Sequence, residues 1–181
     1  ALEEFSALKA RSLREKIREI NKVKKAIVKF STDGLVIVEV VERKEAAVFL
    51  NDRLYEVLDR NGVVLSTSSE YEGLSSYPLL VGKSGSKNIP NLLSLVKEIG
   101  SYKSEVMYYE WVGERRWDIH MKNNLVFKLP ENNLSGGVEL MRVFLNGINK
   151  YLKPIVSVDL RNLDKPIIKF RKTPSAEYIN E

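Results

Sequence analysis

The chain contains no cysteine and a single histidine, His120, among its 181 residues. The first absence excludes disulfides and thiolate metal sites, and it leaves the redox character of the compartment open. The second means that a metal site or an activated nucleophile would need partners that no residue near His120 in sequence supplies, so His120 reads as a surface or sheet residue. Long apolar runs are missing as well. The longest, Leu35 to Val41, is interrupted by Glu39 and is far too short to cross a bilayer. Gly82-Lys83-Ser84 ends like a phosphate-binding loop, but such a loop needs a glycine where Tyr77 stands, so the stretch reads as a flexible loop. There is no internal repeat or low-complexity block. The chain begins without methionine or a secretory leader, which predicts a piece of a longer protein whose targeting segment lies outside it.

What is present is enough for a globular core, with 44% hydrophobic residues. The net charge of +5 and pI near 9.3 permit attraction to anionic partners. Position matters more than the total. Lys9, Arg11, Arg14, Lys16, Arg18, Lys22, Lys24, Lys25 and Lys29 crowd the N-terminal end, while the rest is close to balanced. No aromatic stacking surface or recognised binding motif accompanies this charge, which argues against nucleic acid. The cluster reads either as a solvated helix face or as a contact with a membrane surface.

Ser12 and Glu15 have capping-box spacing and precede an amphipathic pattern, predicting a helix over Ser12 to Asn21. Lys24 to Ser31 and Leu35 to Glu42 flank Thr32-Asp33-Gly34, a hairpin signal, and Ala46 to Leu50 is a third extended run. Tyr55 to Asp59 and Val63 to Leu65 are joined by the turn Arg60-Asn61-Gly62. Ser66 to Tyr77 and Lys83 to Asn88 read as loops, either side of the apolar insert Pro78 to Gly82. Pro90 suits a first helical turn, with Leu92, Leu93, Val96 and Ile99 on one face and Gly100 as the stop. A strand over Val106 to Val112 leads into the central hairpin. There Trp117, Ile119 and Met121 alternate with polar residues, as do Leu125, Phe127 and Leu129, so one face is buried. Leu134, Val138, Met141, Leu145 and Ile148 form the inward stripe of a helix ended by Pro154. Ile155 to Arg161 and Ile167 to Arg171 are the last strands, followed by a tail.

Glu110, Glu114 and Asp118 invite an acid/base reading, but carboxylates alternating along a sheet face are usually solvated, and catalysis is not expected. Arg115-Arg116 beside Trp117 reads either as a solvated pair or as an interface, since guanidinium groups bind carboxylates in a fork and pack on aromatics.

The order of motifs resembles the periplasmic part of the FtsQ/DivIB family of bacterial cell-division proteins. The residues that carry it are Val23-Lys24-Lys25-Ala26, Val40-Val41-Glu42-Arg43-Lys44-Glu45-Ala46, Leu58-Asp59-Arg60-Asn61-Gly62-Val63-Val64, Glu114-Arg115-Arg116-Trp117-Asp118-Ile119, Asn124 to Pro130 and Val158-Asp159-Leu160-Arg161. The resemblance implies an α+β chain. A POTRA domain lacking its first strand and most of its first helix would occupy residues 1–45. A mostly antiparallel β domain with two helices packed on its sheet would occupy 46–172, and a tail 173–181.

It further implies a non-enzymatic divisome scaffold without cofactors or metals, on the periplasmic face of the inner membrane, anchored by a single span not present here. The implied partners are FtsB and FtsL, with the last strand of the β domain accepting an FtsB strand by β-augmentation and a nearby arginine pairing with a partner carboxylate. Mapped by motif, the partner-binding residues are Arg115, Arg116, Arg161, Asn162, Leu163, Asp164, Lys165, Ile167, Ile168, Lys169, Phe170 and Arg171. Asn162 stands where the family often has an aromatic residue. The competing readings are a POTRA-bearing outer-membrane assembly or secretion factor, and a basic nucleic-acid-binding protein.

Overall fold

A computed structural model describes residues 2–31, 34–147 and 155–171. The chain divides into two compact units, Ala1–Tyr77 and Pro78–Glu181. The expected domain junction near residue 45 falls inside the first unit, and the expected tail 173–181 lies outside the described residues.

The first unit opens with helix α1, Leu2–Arg18. It starts ten residues before the expected Ser12, because Leu8, Lys9, Ala10 and Arg11 are strong helix formers and carry the helix straight through Ser12. The helix packs on β1 (Val23–Phe30), whose Val23, Ala26 and Val28 are buried together with Ala10 of the helix. Strand β2 (Val36–Glu42) pairs antiparallel with β1, as expected. Within the turn between them, Thr32 and Asp33 lie outside the described residues, and Gly34 has the positive φ of +84° that a tight turn asks of a glycine. A meander follows, β3 (Glu45–Asn51), β4 (Leu54–Asp59) and β5 (Val64–Ser68), antiparallel throughout. The β3–β4 turn, with Asp52 at φ 53°, carries no glycine or proline and is built on Asn51-Asp52, residue types that tolerate the left-handed conformation.

Asp59 holds the end of β4. Its Oδ1 accepts the N–H groups of Asn61 and Val63 at 2.8 and 2.9 Å, and its Oδ2 accepts Arg43 Nη1 at 2.7 Å. The same Arg43 donates its backbone N–H to Lys22 O, so one residue ties the β1–β2 hairpin to the meander. Burial pushes the Asp59 carboxyl up, but the Val63 N–H, the Arg43 guanidinium and the Asn61 N–H outweigh it and hold the pKa below the ordinary 3.8.

The second unit contains β6 (Leu79–Val81), α2 (Ile89–Ile99), β7 (Val106–Val112), β8 (Arg116–Met121), β9 (Val126–Lys128), α3 (Leu134–Gly147), β10 (Ile155–Asp159) and β11 (Ile167–Phe170). Its strands lie in the order β11-β10-β9-β8-β7-β6. Pairing is antiparallel except at β6–β7 and β9–β10, which are parallel. Parallel neighbours need a long crossover, and α2 and α3 supply the two. Since β7 is antiparallel to β8 and β8 to β9, the strands β6, β7, β9 and β10 all run the same way. Both crossovers step across the sheet in the same direction, and right-handed connections then put both helices on one face. Among the described residues, the other face carries no helix of this unit.

The alternation read from the sequence fits this layout. Trp117, Ile119, Met121, Leu125, Phe127 and Leu129 are buried, joined by Val158 and Leu160, and the helices present Ile89, Leu92, Leu95 and Ile99, and Val138 and Met141. The buried stripe of α2 differs in part from the expected one. Leu95 replaces Leu93 and Val96, which flank the stripe and are half-buried. Gly100 ends the helix as expected, at φ 66°. Ile148 and Pro154 lie outside the described residues. Lys83 to Asn88 is no loose loop: a 3-10 turn over Gly85–Asn88 leads into α2. A Cβ on Gly82, at φ +107°, would lie 2.4 Å from Trp111 O, so glycine is what lets the chain pass there.

Candidate functional site

The outermost strand of the second unit is β11. It pairs with β10 through Ile155↔Phe170, Ser157↔Lys169, Val158↔Ile168 and Asp159↔Ile167, and among the described residues no strand lies on its other side. Ile167 is 66% exposed and Phe170 40%, while Lys169 and Arg171 are exposed and Ile168 is half-buried. A free edge carrying two cations and two exposed apolar side chains can accept a strand from another chain, and it favours an acidic one.

The turn leading into this edge is built by Asn162, whose Oδ1 accepts Asp164 N–H at 3.0 Å and whose carbonyl accepts Lys165 N–H at 3.3 Å. Asn162, Asp164 and Lys165 are exposed and Leu163 is half-buried. Arg161 stands at the mouth of the turn with a forked grip on Asp159, Nε at 2.9 and 3.0 Å and Nη2 at 2.6 Å. That hydrogen-bonded fork, against the opposing effect of burial, holds the Asp159 carboxyl below its ordinary range and raises Arg161 in turn. Arg161 therefore reaches the edge already carrying a carboxylate of its own chain.

The helix-free face behind the edge bears a row of charge across four strands. Glu110 lies opposite Asp118, Asp118 opposite Lys128, Lys128 opposite Asp159, and Asp159 opposite Ile167. Asp118 is buried, contrary to the solvated carboxylate expected there, and Arg116 binds it at 3.1 Å. Burial pushes its pKa up, and Arg116 only partly offsets this. Glu110 does not pair with it for acid/base work. Glu110 meets His120 at 2.7 Å, and the imidazole stacks on Tyr108 with ring centroids 4.2 Å apart. His120 thus has partners from the adjacent strand that sequence distance concealed. Glu114 is exposed at the hairpin turn and accepts the Ser84 hydroxyl at 3.2 Å.

Residues 161–171 come together as one continuous edge. Arg115 and Arg116 do not join it, since β9 and β10 intervene. Arg115 is exposed beside Glu131 at 3.6 Å, and Arg116 is largely buried on Asp118. Both help line a cleft of about 160 Å³ with Trp111, Trp117, Pro130 and Leu134. Asp159 was the residue that sequence reasoning missed. Its spacing of two from Arg161 would have placed both on one side of an extended chain, and that was the available signal. Among the described residues no group of His, Asp or Glu is arranged to hold a metal ion.

The family model of the cell division protein FtsQ/DivIB, C-terminal, matches residues 46–161. The chain belongs to the FtsQ/DivIB family. It is similar to the cell division protein FtsQ of Paracoccus denitrificans, 27% identical over 158 residues that make up 87% of this chain and 46% of that protein. It is likewise similar to the FtsQ of Bradyrhizobium diazoefficiens, 26% identical over 162 residues, 90% of this chain and 47% of that one. This FtsQ/DivIB chain spans about half the length of the curated relatives it matches. Among solved structures it is similar to the major extracytoplasmic domain of the trans isomer of DivIB from Geobacillus stearothermophilus, with 14% identity and a TM-score of 0.43 over 62% of this chain and 99% of that one. Membership gives the chain a place in bacterial cell division. No helix among the described residues is long and apolar enough to cross a membrane.

Proposed function

We propose that the chain is a non-enzymatic scaffold of the divisome that recruits FtsB and FtsL by accepting a partner strand along β11. The observation that carries this reading is the unpaired outer side of β11, flanked by Lys169 and Arg171 and bearing the exposed Ile167 and Phe170. Backbone hydrogen bonds along the edge supply affinity, and the side chains beside it supply selectivity. Arg161 then exchanges or shares its fork between Asp159 and a partner carboxylate, with Asn162 to Lys165 shaping the entry. Arg115 and Arg116 contribute more remote contacts to the same assembly. Residues 1–45 are the remainder of a POTRA domain, and the β domain runs from 46 to 172. The longer protein is held at the periplasmic face of the inner membrane by an anchor outside these residues, and nucleic acid is not a partner.

A titration of the purified chain with a soluble FtsB–FtsL fragment tests the reading. Arg161→Glu should weaken binding by roughly 2 kcal/mol, the lower end of the cost of breaking a desolvated interfacial charge pair. Its unfolding midpoint should fall modestly, since Asp159 loses its fork, but by about 1 kcal/mol at most because Arg161 is half exposed, so binding is read well below that midpoint. Wild-type affinity in that variant, or no binding by the wild type, would remove the β11 edge as the recruiting surface.

A further inference from the structure

On the sheet face away from α2 and α3, the cations Arg116, Lys128 and Arg161 share neighbouring strands with the carboxylates Asp118 and Asp159. Asp118 lies opposite Lys128, and Lys128 lies opposite Asp159, so the lysine stands between the two carboxylates. Arg116 holds Asp118 and Arg161 holds Asp159, each at hydrogen-bond distance. Lys128 is half-buried and, among the described residues, forms no ion pair or side-chain hydrogen bond with either one. Its charge is felt by both. At Asp159 it adds to the Arg161 hydrogen bonds that lower the pKa, and at Asp118 it joins Arg116 against the upward push of burial. The carbonyl of Lys128 accepts Leu160 N–H at 2.8 Å, which fixes this strand beside Arg161. The other charged groups nearby are less well placed. Lys169 lies opposite Ser157, diagonally from Asp159, and is exposed, while Glu110, on the far side of Asp118, is engaged by His120.

Given that Arg161 meets a partner carboxylate, as proposed for the β11 edge, we infer that Lys128 is the positioning residue for that contact: it takes over Asp159 when the fork of Arg161 turns outward. An arginine that lets go of Asp159 leaves a carboxylate whose side chain is only 16% exposed, and an uncovered anion in such a place is strongly unfavourable. Arg161, bound to its own chain through Nε and Nη2, would therefore be a poor receptor by itself. Lys128 removes that obstacle. It sits directly across the ladder from Asp159, its ammonium is a compact charge on a flexible four-carbon stem, and no other described carboxylate holds it. The two side chains suit their two tasks. The planar fork of the arginine matches a partner carboxylate through two parallel hydrogen bonds, and the lysine serves as the point charge that stays behind. With Arg116 kept by Asp118, two cations face the single carboxylate of Asp159, and one partner carboxylate restores the balance.

NMR titration of the Asp159 carboxyl, in the chain without any partner, tests the exchange directly. In Arg161→Ala the carboxyl should still titrate below the ordinary 3.8, because Lys128 has moved onto it. Adding Lys128→Met, which keeps the length of the stem and removes the charge, should then raise it by about one pH unit, the lower end of the effect of a neighbouring opposite charge. Lys128→Met alone should move it far less, and Lys128→Arg should keep it low in the Arg161→Ala background. An equal shift from Lys128→Met in both backgrounds overturns the inference, since a charge that never moves acts alike with or without Arg161. In titration with the soluble FtsB–FtsL fragment, Lys128→Met should weaken binding about tenfold, Lys128→Arg should restore it, and in an Asp159→Asn background, where no anion is left to cover, Lys128→Met should make no difference. Wild-type affinity in Lys128→Met, or the same loss in the Asp159→Asn background, overturns the inference and leaves the β11 edge standing. If the wild-type chain does not bind the fragment, the β11 reading falls, and the carboxyl titration still decides whether Lys128 replaces Arg161 on Asp159.

Discussion

Removing the Asp59 carboxylate should destabilise the first unit by about 3 kcal/mol, and the structure shows where the loss comes from. Asp59→Ala takes the acceptor away from the N–H groups of Asn61 and Val63, at about 1 kcal/mol each for a hydrogen bond that water does not fully replace. It also leaves Arg43 without its anion. A fully buried pair would cost about 3–5 kcal/mol on losing one member, but the Arg43 side chain is 22% exposed and water takes over part of the role, so about 1 kcal/mol is the reasonable share. Asp59→Asn keeps an oxygen for the turn and should cost roughly half as much. Both tryptophans, Trp111 and Trp117, belong to the second unit, so tryptophan fluorescence would miss the effect. Hydrogen exchange of amides in residues 45–68 reads the right unit.

The pH dependence has a fixed sign. Because the folded pKa of Asp59 lies below its ordinary 3.8, its contribution is fully present above that value and is lost as pH falls through the folded pKa. The difference between wild type and Asp59→Asn should therefore shrink below about pH 3.8 and hold constant from pH 5 upward. A loss under about 1 kcal/mol in Asp59→Ala, or a gap between wild type and Asp59→Asn that persists unchanged well below that pH, would refute the assignment of Asp59 as the clasp of this unit.

Amides of residues 24–42 should exchange through openings of lower free energy than those of 117–129, because β2 is exposed throughout while the central hairpin is buried on one face; equal protection would contradict this. Gly82→Ala should cost roughly 2 kcal/mol or more, from a strained backbone and a 2.4 Å approach to Trp111 O, with a change in tryptophan fluorescence; a variant as stable as wild type would show that the strand moves aside freely. If the N-terminal basic cluster meets an anionic membrane surface, each cation adds about 1 kcal/mol there, and replacing Arg14, Lys16 and Arg18 by Glu should release the chain from phosphatidylserine vesicles at low salt; unchanged co-sedimentation would assign them to solvent.

The periodicities of the sequence were sufficient to determine most elements. Strict alternation over Trp117 to Met121 and Leu125 to Leu129 settled the central hairpin, and the spacing Leu134, Val138, Met141 settled the third helix, because a half-buried strand and a half-buried helix each write their own period. The last strand was legible for the same reason, as were the motifs that placed the chain in its family. Local signals failed where they were ambiguous. The Ser12–Glu15 spacing is a start signal only if the residues before it do not already form helix, and here they do. What only the tertiary structure decided was everything that depends on which strands become neighbours. Two parallel pairings, β6–β7 and β9–β10, send both helices to one face and leave the charged row on the other, and no local pattern encodes them. Likewise His120 is paired because Glu110, ten positions away, lies on the adjacent strand, whereas Arg116–Asp118 and Arg161–Asp159, each two residues apart, were within local reach. An edge, too, is a property of the sheet and not of the strand. Ile167 to Phe170 and Val36 to Glu42 both read as strands, and only the ladder of neighbours shows that, among the described residues, each has a partner strand on one side alone.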